Sequence, residues 1–137
     1  MKLLKLCLTG GFLLAALVGL QGCASNGAGG SSATAVGTGY YSDSEFHVMQ
    51  GVALDKVWEA AKSAVKEMQS TVLTDRTLKN DKEGILTILS PEGQLVVIKI
   101  HSVSQRMTEI RIRVAASNSA ANRSAAELIY KKMKFRM

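Results

Sequence analysis

Apolar and polar positions recur with two different periods along this chain, and the change of period marks its elements. Leu54, Val57, Trp58, Ala61, Ala64, Val65 and Met68 lie three and four residues apart, the spacing that gathers side chains on one helix face. Asp55, Glu59, Lys62 and Lys66 fall opposite, acidic first and basic later, as the helix dipole favours. Further on the period is two. Residues 85–90, 94–103 and 107–115 alternate between Pro91-Glu92-Gly93 and Ser104-Gln105-Arg106 turns, which predicts an antiparallel meander. If each turn is a three-residue loop, Leu86, Ile88, Val96, Ile98, Ile100, Ile110, Ile112 and Val114 share one face. A slip of one residue would scatter these eight, so that face is the predicted core and the helix over 54–68 its cover.

The remaining elements are less regular. Residues 44–50, with Phe46, His47, Val48 and Met49, predict a first strand, and Thr71, Val72, Leu73 and Thr74 a short branched one. Residues 79–84 read as a polar turn. A second amphipathic helix begins near Asn118-Ser119, good capping residues, and runs through Ala121, Ala125, Leu128, Ile129, Lys132 and Phe135. Its last turns combine Tyr130, Met133, Phe135 and Met137 with Lys131, Lys132, Lys134 and Arg136. Those charges either complement the helix carboxyl end or let the tip rest on an anionic surface. The expected fold is α+β, an antiparallel sheet with two helices in the order β-α-β-β-β-β-α.

On the same register the opposite sheet face carries Ile85, Leu89, Leu95 and Val97 at one end, then Lys99, His101, Glu109, Arg111 and Arg113. Leu95 is expected beside Leu89, His101 opposite Glu109, and Lys99 opposite Arg111. Like charges facing each other are mildly unfavourable unless the face is solvated or an acidic group docks there. Two readings therefore stand: an ordinary outer face with scattered apolar residues, or an interaction surface built from Leu95, Val97, Lys99, His101, Arg111 and Arg113.

The amino terminus is patterned differently. Lys2 and Lys5 precede an apolar run over 6–20, which falls short of the roughly 20 residues a membrane-spanning helix needs. Leu20-Gln21-Gly22-Cys23 follows, and it resembles the lipobox of bacterial lipoproteins. That resemblance implies lipid on the Cys23 sulfur, cleavage just before Cys23 and acylation of the new amino terminus. Residues 1–22 are then a signal peptide. Ala24 after the cleavage point, where the sorting pattern would place Asp for retention, implies the outer membrane, facing the periplasm. Residues 24–39 are rich in Gly, Ser and Ala with a single Val, a composition expected to act as a tether of roughly 22 Å. Residues 40–137 are the one predicted domain.

Charge and cysteine content narrow the function. The formal charge of +6 falls to +4 without Lys2 and Lys5, and 123–136 account for it. With three Tyr, three Phe and one Trp for stacking, nucleic-acid binding is not expected. Cys7 and Cys23 are the only cysteines, so a domain over 40–137 has no thiol for a disulfide or a metal site. His47 has no partner histidine at metal-ligand spacing, and no nucleophilic serine motif or phosphate loop is present. No cofactor or enzymatic activity is expected. The leading expectation is a lipid-anchored, non-enzymatic interaction or scaffold module with a possible envelope protein partner. The alternative is a carrier of a small apolar ligand held between sheet and helices near Trp58, although Trp58 in mid-stripe also reads simply as core. Unpaired edge strands leave dimerisation open.

Val57-Trp58-Glu59-Ala60-Ala61, and the run Met107-Thr108-Glu109-Ile110-Arg111-Ile112-Arg113-Val114 with a following helix containing Ile129, carry a second resemblance. Residues 44–136 resemble a family of small bacterial lipoproteins whose shared domain has no known function. The family pattern implies strand, helix, four strands, helix, and no reaction. Its last strand typically closes with Arg-Val-Gly and an acidic residue, whereas here Val114 is followed by Ala115-Ala116-Ser117-Asn118. The arrangement also looks like small domains of lipoproteins accessory to outer-membrane assembly, a likeness of shape alone.

Overall fold

Asp43 and Ser44, at φ 50° and 65°, turn the chain between β1 (Gly39–Ser42) and β2 (Glu45–Gln50). Two central residues with positive φ are the hairpin geometry that matches strand twist. The computed structural model describes residues 36–137; the predicted signal peptide over 1–22, Cys23 and the tether up to residue 35 lie outside the described residues. β1 is an addition to the predicted order. Residues 39–42 were expected to fall at the end of the tether and the start of the domain, yet they pair with β2 over their whole length.

α1 (Leu54–Glu67) follows, and it closes without glycine. Gln69 sits at φ 55°, its N–H donates to Lys66 O and that of Ser70 to Val65 O, which satisfies the last turn's carbonyls. β3 (Thr71–Val72) is shorter than predicted because residues 74–76 turn away in a single 3-10 turn. The predicted polar turn over 79–84 is split by β4 (Leu78–Lys79) and by β5 (Glu83–Leu89), which begins two residues early. β6 (Leu95–Ser104), β7 (Met107–Val114) and α2 (Ala120–Lys134) complete the chain. Ser119 caps α2 by accepting from the Asn122 N–H.

The strands form one antiparallel sheet in the order β1-β2-β7-β6-β5-β3, with β4 also on β5. The architecture is α+β, as predicted, with extra short strands at both edges. The meander register is the predicted one: Ile88 faces Val96, and Ile100 faces Ile110. The second turn is tighter than expected. A bulge at Val103 brings Ser104 opposite Met107, leaving Gln105 and Arg106 as a two-residue loop, and the bulge restores the parity of the strand beyond it. All eight residues assigned to the core face are buried. α1 lies over β5, β6 and β7, and α2 over β7 and β2.

α2 is phased differently from its prediction. Asn122, Ala126, Ile129, Tyr130 and Met133 face the core, whereas Leu128 and Phe135 are exposed. The reason lies in β2: its core-facing Gln50 donates to the Tyr130 hydroxyl, and Phe46 packs against the Tyr130 ring at 5.5 Å. A buried phenol with a hydrogen-bond partner fixes which side of the helix turns inward.

Candidate interaction surface on the outer sheet face

The face turned away from the helices is built by alternation: Tyr40 from β1; Glu45 and His47 from β2; Glu109, Arg111 and Arg113 from β7; Leu95, Val97, Lys99 and His101 from β6; Ile85 and Leu89 from β5. All six residues predicted for an interaction surface lie on it. The expected neighbours are observed, with Leu89 beside Leu95, His101 beside Glu109 and Lys99 beside Arg111.

What sequence spacing could not supply is the neighbour of β7. β2 takes that place and sets His47 beside Arg111, with Glu45 at the end of the same strand. The Glu45 side chain is only 7% exposed, and its Oε1 meets Lys99 Nζ at 2.9 Å and Arg113 Nη2 at 3.0 Å. Arg111 turns instead to Glu109, Nη2 to Oε2 at 2.8 Å. Lys99 and Arg111 thus sit side by side because each reaches a different carboxylate, which offsets their repulsion. The surface expected to be basic is an ion cluster in which two carboxylates offset two of three cations.

His47 joins the carboxylates. Its Nδ1 lies 3.6 Å from Glu109 Oε1 and its Nε2 is 3.9 Å from Glu45 Oε2, while Tyr40 stacks on the ring at 5.1 Å and 16°. Burial would raise the Glu109 carboxyl, but the Arg111 hydrogen bond and charge, with His47, outweigh it and hold Glu109 below the usual carboxylate range. Arg111 is correspondingly held above its ordinary value, chiefly by the Glu109 hydrogen bond. His101, the predicted neighbour of Glu109, is exposed and is not among its polar partners, which are Arg111 and His47.

The cluster grades into apolar surface. Leu89 and Leu95 are 38% and 39% exposed, Leu78 extends the strip from β4, and Ile85 and Val97 are half-buried between them. Thr87, in the same row, is covered by residues 73–77, its Oγ1 donating to Arg76 O at 2.8 Å. Where strip and cluster meet, a hollow of about 220 Å³ is lined by Ile85, Lys99, His101, Glu109 and Arg111. Apart from the 3-10 turn over Thr87, no helix covers this face among the described residues.

A second concavity lies on the helix side. A groove of about 350 Å³ runs between the β5–β6 loop, α1 and α2, lined by Met68, Pro91, Val96, Leu128 and Ile129. Trp58, near which a ligand cavity was expected, is not part of it. Trp58 is buried over Gly84, where an added Cβ would come within 2.6 Å of Cε3, so that region is packed solid. No group of three His, Cys, Asp or Glu among the described residues is placed to hold a metal ion.

The missed members of the cluster, Glu45, His47 and Tyr40, all come from the first hairpin. Period-two spacing in 44–50 was the available signal, since Glu45 and His47 alternate with Phe46 and Val48. It gave the face of each side chain but no partner strand.

Fold and face together define a small α+β domain with two helices on one side of an antiparallel sheet and an open face on the other. Residues 3–126 match the model of a family described as "Protein of unknown function (DUF3568)", and the chain belongs to that family. No curated protein matches the chain.

Proposed function

We propose that this chain is a lipid-anchored envelope protein, held by acyl groups on Cys23, whose domain binds a protein partner through its outer sheet face and catalyses no reaction. The family match begins at residue 3 and takes in the leader and Cys23, which supports treating them as part of one design with the domain. By the sorting pattern at Ala24, the anchor is placed in the outer membrane, facing the periplasm.

The observation that carries the docking reading is the uncovered junction of an apolar strip with a fixed ion cluster. Leu89 and Leu95 offer area to bury, and Lys99, Arg111 and Arg113, each more than 40% exposed at the side chain, keep donors facing outward while Glu45 and Glu109 offset most of their charge. A partner gains contacts there and meets one uncompensated positive charge instead of three. Such pre-organised polar groups around an apolar centre favour recognition. Proton transfer suits them poorly, because Glu109 and Arg111 are each held in their charged forms.

Two measurements test this reading. Mass spectrometry of the mature protein is expected to find an acylated amino terminus at Cys23; an unmodified chain starting elsewhere removes the anchor. Leu89→Ser with Leu95→Ser is expected to abolish partner capture with only a small change in thermal unfolding, since both side chains are partly exposed and the facing pair gains no like charges. Unaltered capture overturns the docking face.

The groove lined by Met68, Leu128 and Ile129 favours a second reading, a carrier of a small apolar ligand. A rise in unfolding temperature with fatty acids of graded length, lost in Ile129→Gln, is its expected signature. An unmoved unfolding temperature across the series refutes it.

A further inference from the structure

The phase of α2 sends its bulky apolar residues in two directions. Tyr130 and Met133 enter the core, 8% and 0% exposed, while Leu128 and Phe135 face solvent at 53% and 82%. Leu128, Lys131 and Phe135 are three and four residues apart and so form one line along the helix surface. Phe135 is the most exposed large apolar side chain among the described residues. Folding gains nothing from a phenyl ring left in water.

The charges around this line are unlike those of the outer sheet face. Lys132 and Arg136 turn aside to Glu67. Lys131 and Lys134 are exposed and have no ion pair among the described residues. Glu127 is the only acidic residue of α2, so the surface is net positive. Lysines are depleted at the centre of protein interfaces, but beside a bilayer they extend to headgroups while neighbouring apolar side chains enter the acyl boundary.

We infer that the carboxyl-terminal end of α2, through Leu128, Lys131, Lys134 and Phe135, rests on an anionic phospholipid surface. The inference rests on the anchoring reading. Cys23 lies 13 residues before Val36, a span of at most about 45 Å, so an acylated chain always has a bilayer within reach. Tethering makes the contact intramolecular, and two apolar side chains with two lysines suffice where a free domain would dissociate. The contact orients the domain: α2 meets the membrane and the outer sheet face, on the far side of the sheet, is left free.

The test uses the full lipidated protein reconstituted into vesicles of brominated phosphatidylcholine, with or without brominated phosphatidylglycerol. Phe135→Trp places a reporter in the surface, Gln105→Trp places one in the exposed β6–β7 turn, and the wild type with Trp58 alone is the blank. In phosphatidylglycerol vesicles the position-135 reporter is expected to be quenched far more than the position-105 reporter. Lys131→Glu with Lys134→Glu is expected to erase the difference, because each lysine near an anionic surface contributes about fivefold to the contact equilibrium, roughly 1 kcal/mol. Equal quenching at the two positions, or a difference indifferent to the lysines, overturns the inference. A reporter at 135 that is unquenched in vesicles yet shielded in native envelopes also overturns it, assigning the surface to a protein instead. Failure of the protein to float with the vesicles is a separate result, which sinks the anchor itself.

Discussion

Glu45 is the most buried carboxylate of the ion cluster while its two cationic partners are half-exposed, and this asymmetry predicts an inverted mutational order. Its side chain is 7% exposed, whereas those of Lys99 and Arg113 are 43% and 44% exposed. Glu45→Gln removes the charge that was costly to bury and leaves two cations that water can reach. Two charge-assisted hydrogen bonds weaken, but the desolvation penalty of the carboxylate disappears with them, so the net cost is about 1–2 kcal/mol. Lys99→Met with Arg113→Met does the reverse. Both stems still pack, yet Glu45 loses both hydrogen-bonded cations and keeps only His47 at 3.9 Å and the more distant Arg111 charge, and an undercompensated buried charge costs about 3–5 kcal/mol. Adding Glu45→Gln to that pair is expected to recover about 2 kcal/mol. Urea unfolding followed by Trp58 emission reads this directly, since slopes of about 1–3 kcal/mol per molar turn 2 kcal/mol into a midpoint shift of roughly 1 M. A Glu45→Gln as damaging as the double variant, or a triple variant no more stable than the double, refutes the reasoning. The same geometry explains why charge reversal at Arg111 or Arg113 is a poor probe of docking: it perturbs Glu109 and Glu45 before it touches a partner.

Other consequences follow from packing and charge. Met133→Ala, at a fully buried position, should lower stability by about 2–5 kcal/mol, and Phe135→Ala should leave unfolding nearly unmoved; the opposite order would mean that α2 turns its other face inward. Gly84→Ala forces a methyl into the Trp58 ring and is expected to cost about 1–3 kcal/mol with a shifted Trp58 emission, so an unperturbed spectrum would contradict the packing. The Lys132 and Arg136 hydrogen bonds hold the Glu67 carboxyl at about 2, from an ordinary 4.5. A depressed carboxyl stabilises the fold above the unfolded value and loses that contribution as pH falls from about 4.5 towards 2. An NMR titration of Glu67 that moves to the ordinary value in Lys132→Met with Arg136→Met supports this linkage; an unchanged midpoint removes it.

The sheet interior was legible because period two admits only two registers, and eight branched or aliphatic residues chose one of them. The bulge at Val103 could be overlooked without harm, since it restores the parity that a two-residue turn would have broken. The first hairpin was harder. Its turn is Asp43-Ser44 at positive φ, without the glycine that normally advertises such a turn, and β1 follows directly on a Gly-rich stretch. Missing β1 and the partner of β2 meant missing Glu45 between Lys99 and Arg113, so the outer face looked more basic than it is. The phase of α2 was ambiguous for a related reason. Leu128 with Phe135 is the more apolar pair, yet Tyr130 with Met133 turns inward, because Gln50 and Phe46 across the core give Tyr130 its partners.

The most direct test of the outer face is photocrosslinking in living cells from positions 95 and 97, with position 105 in the β6–β7 turn as control and mass spectrometry of the adducts. The docking account predicts one dominant envelope protein attached at 95 and 97 and absent at 105. No adduct at either position from a folded, anchored protein, or the same adducts at all three, would contradict it.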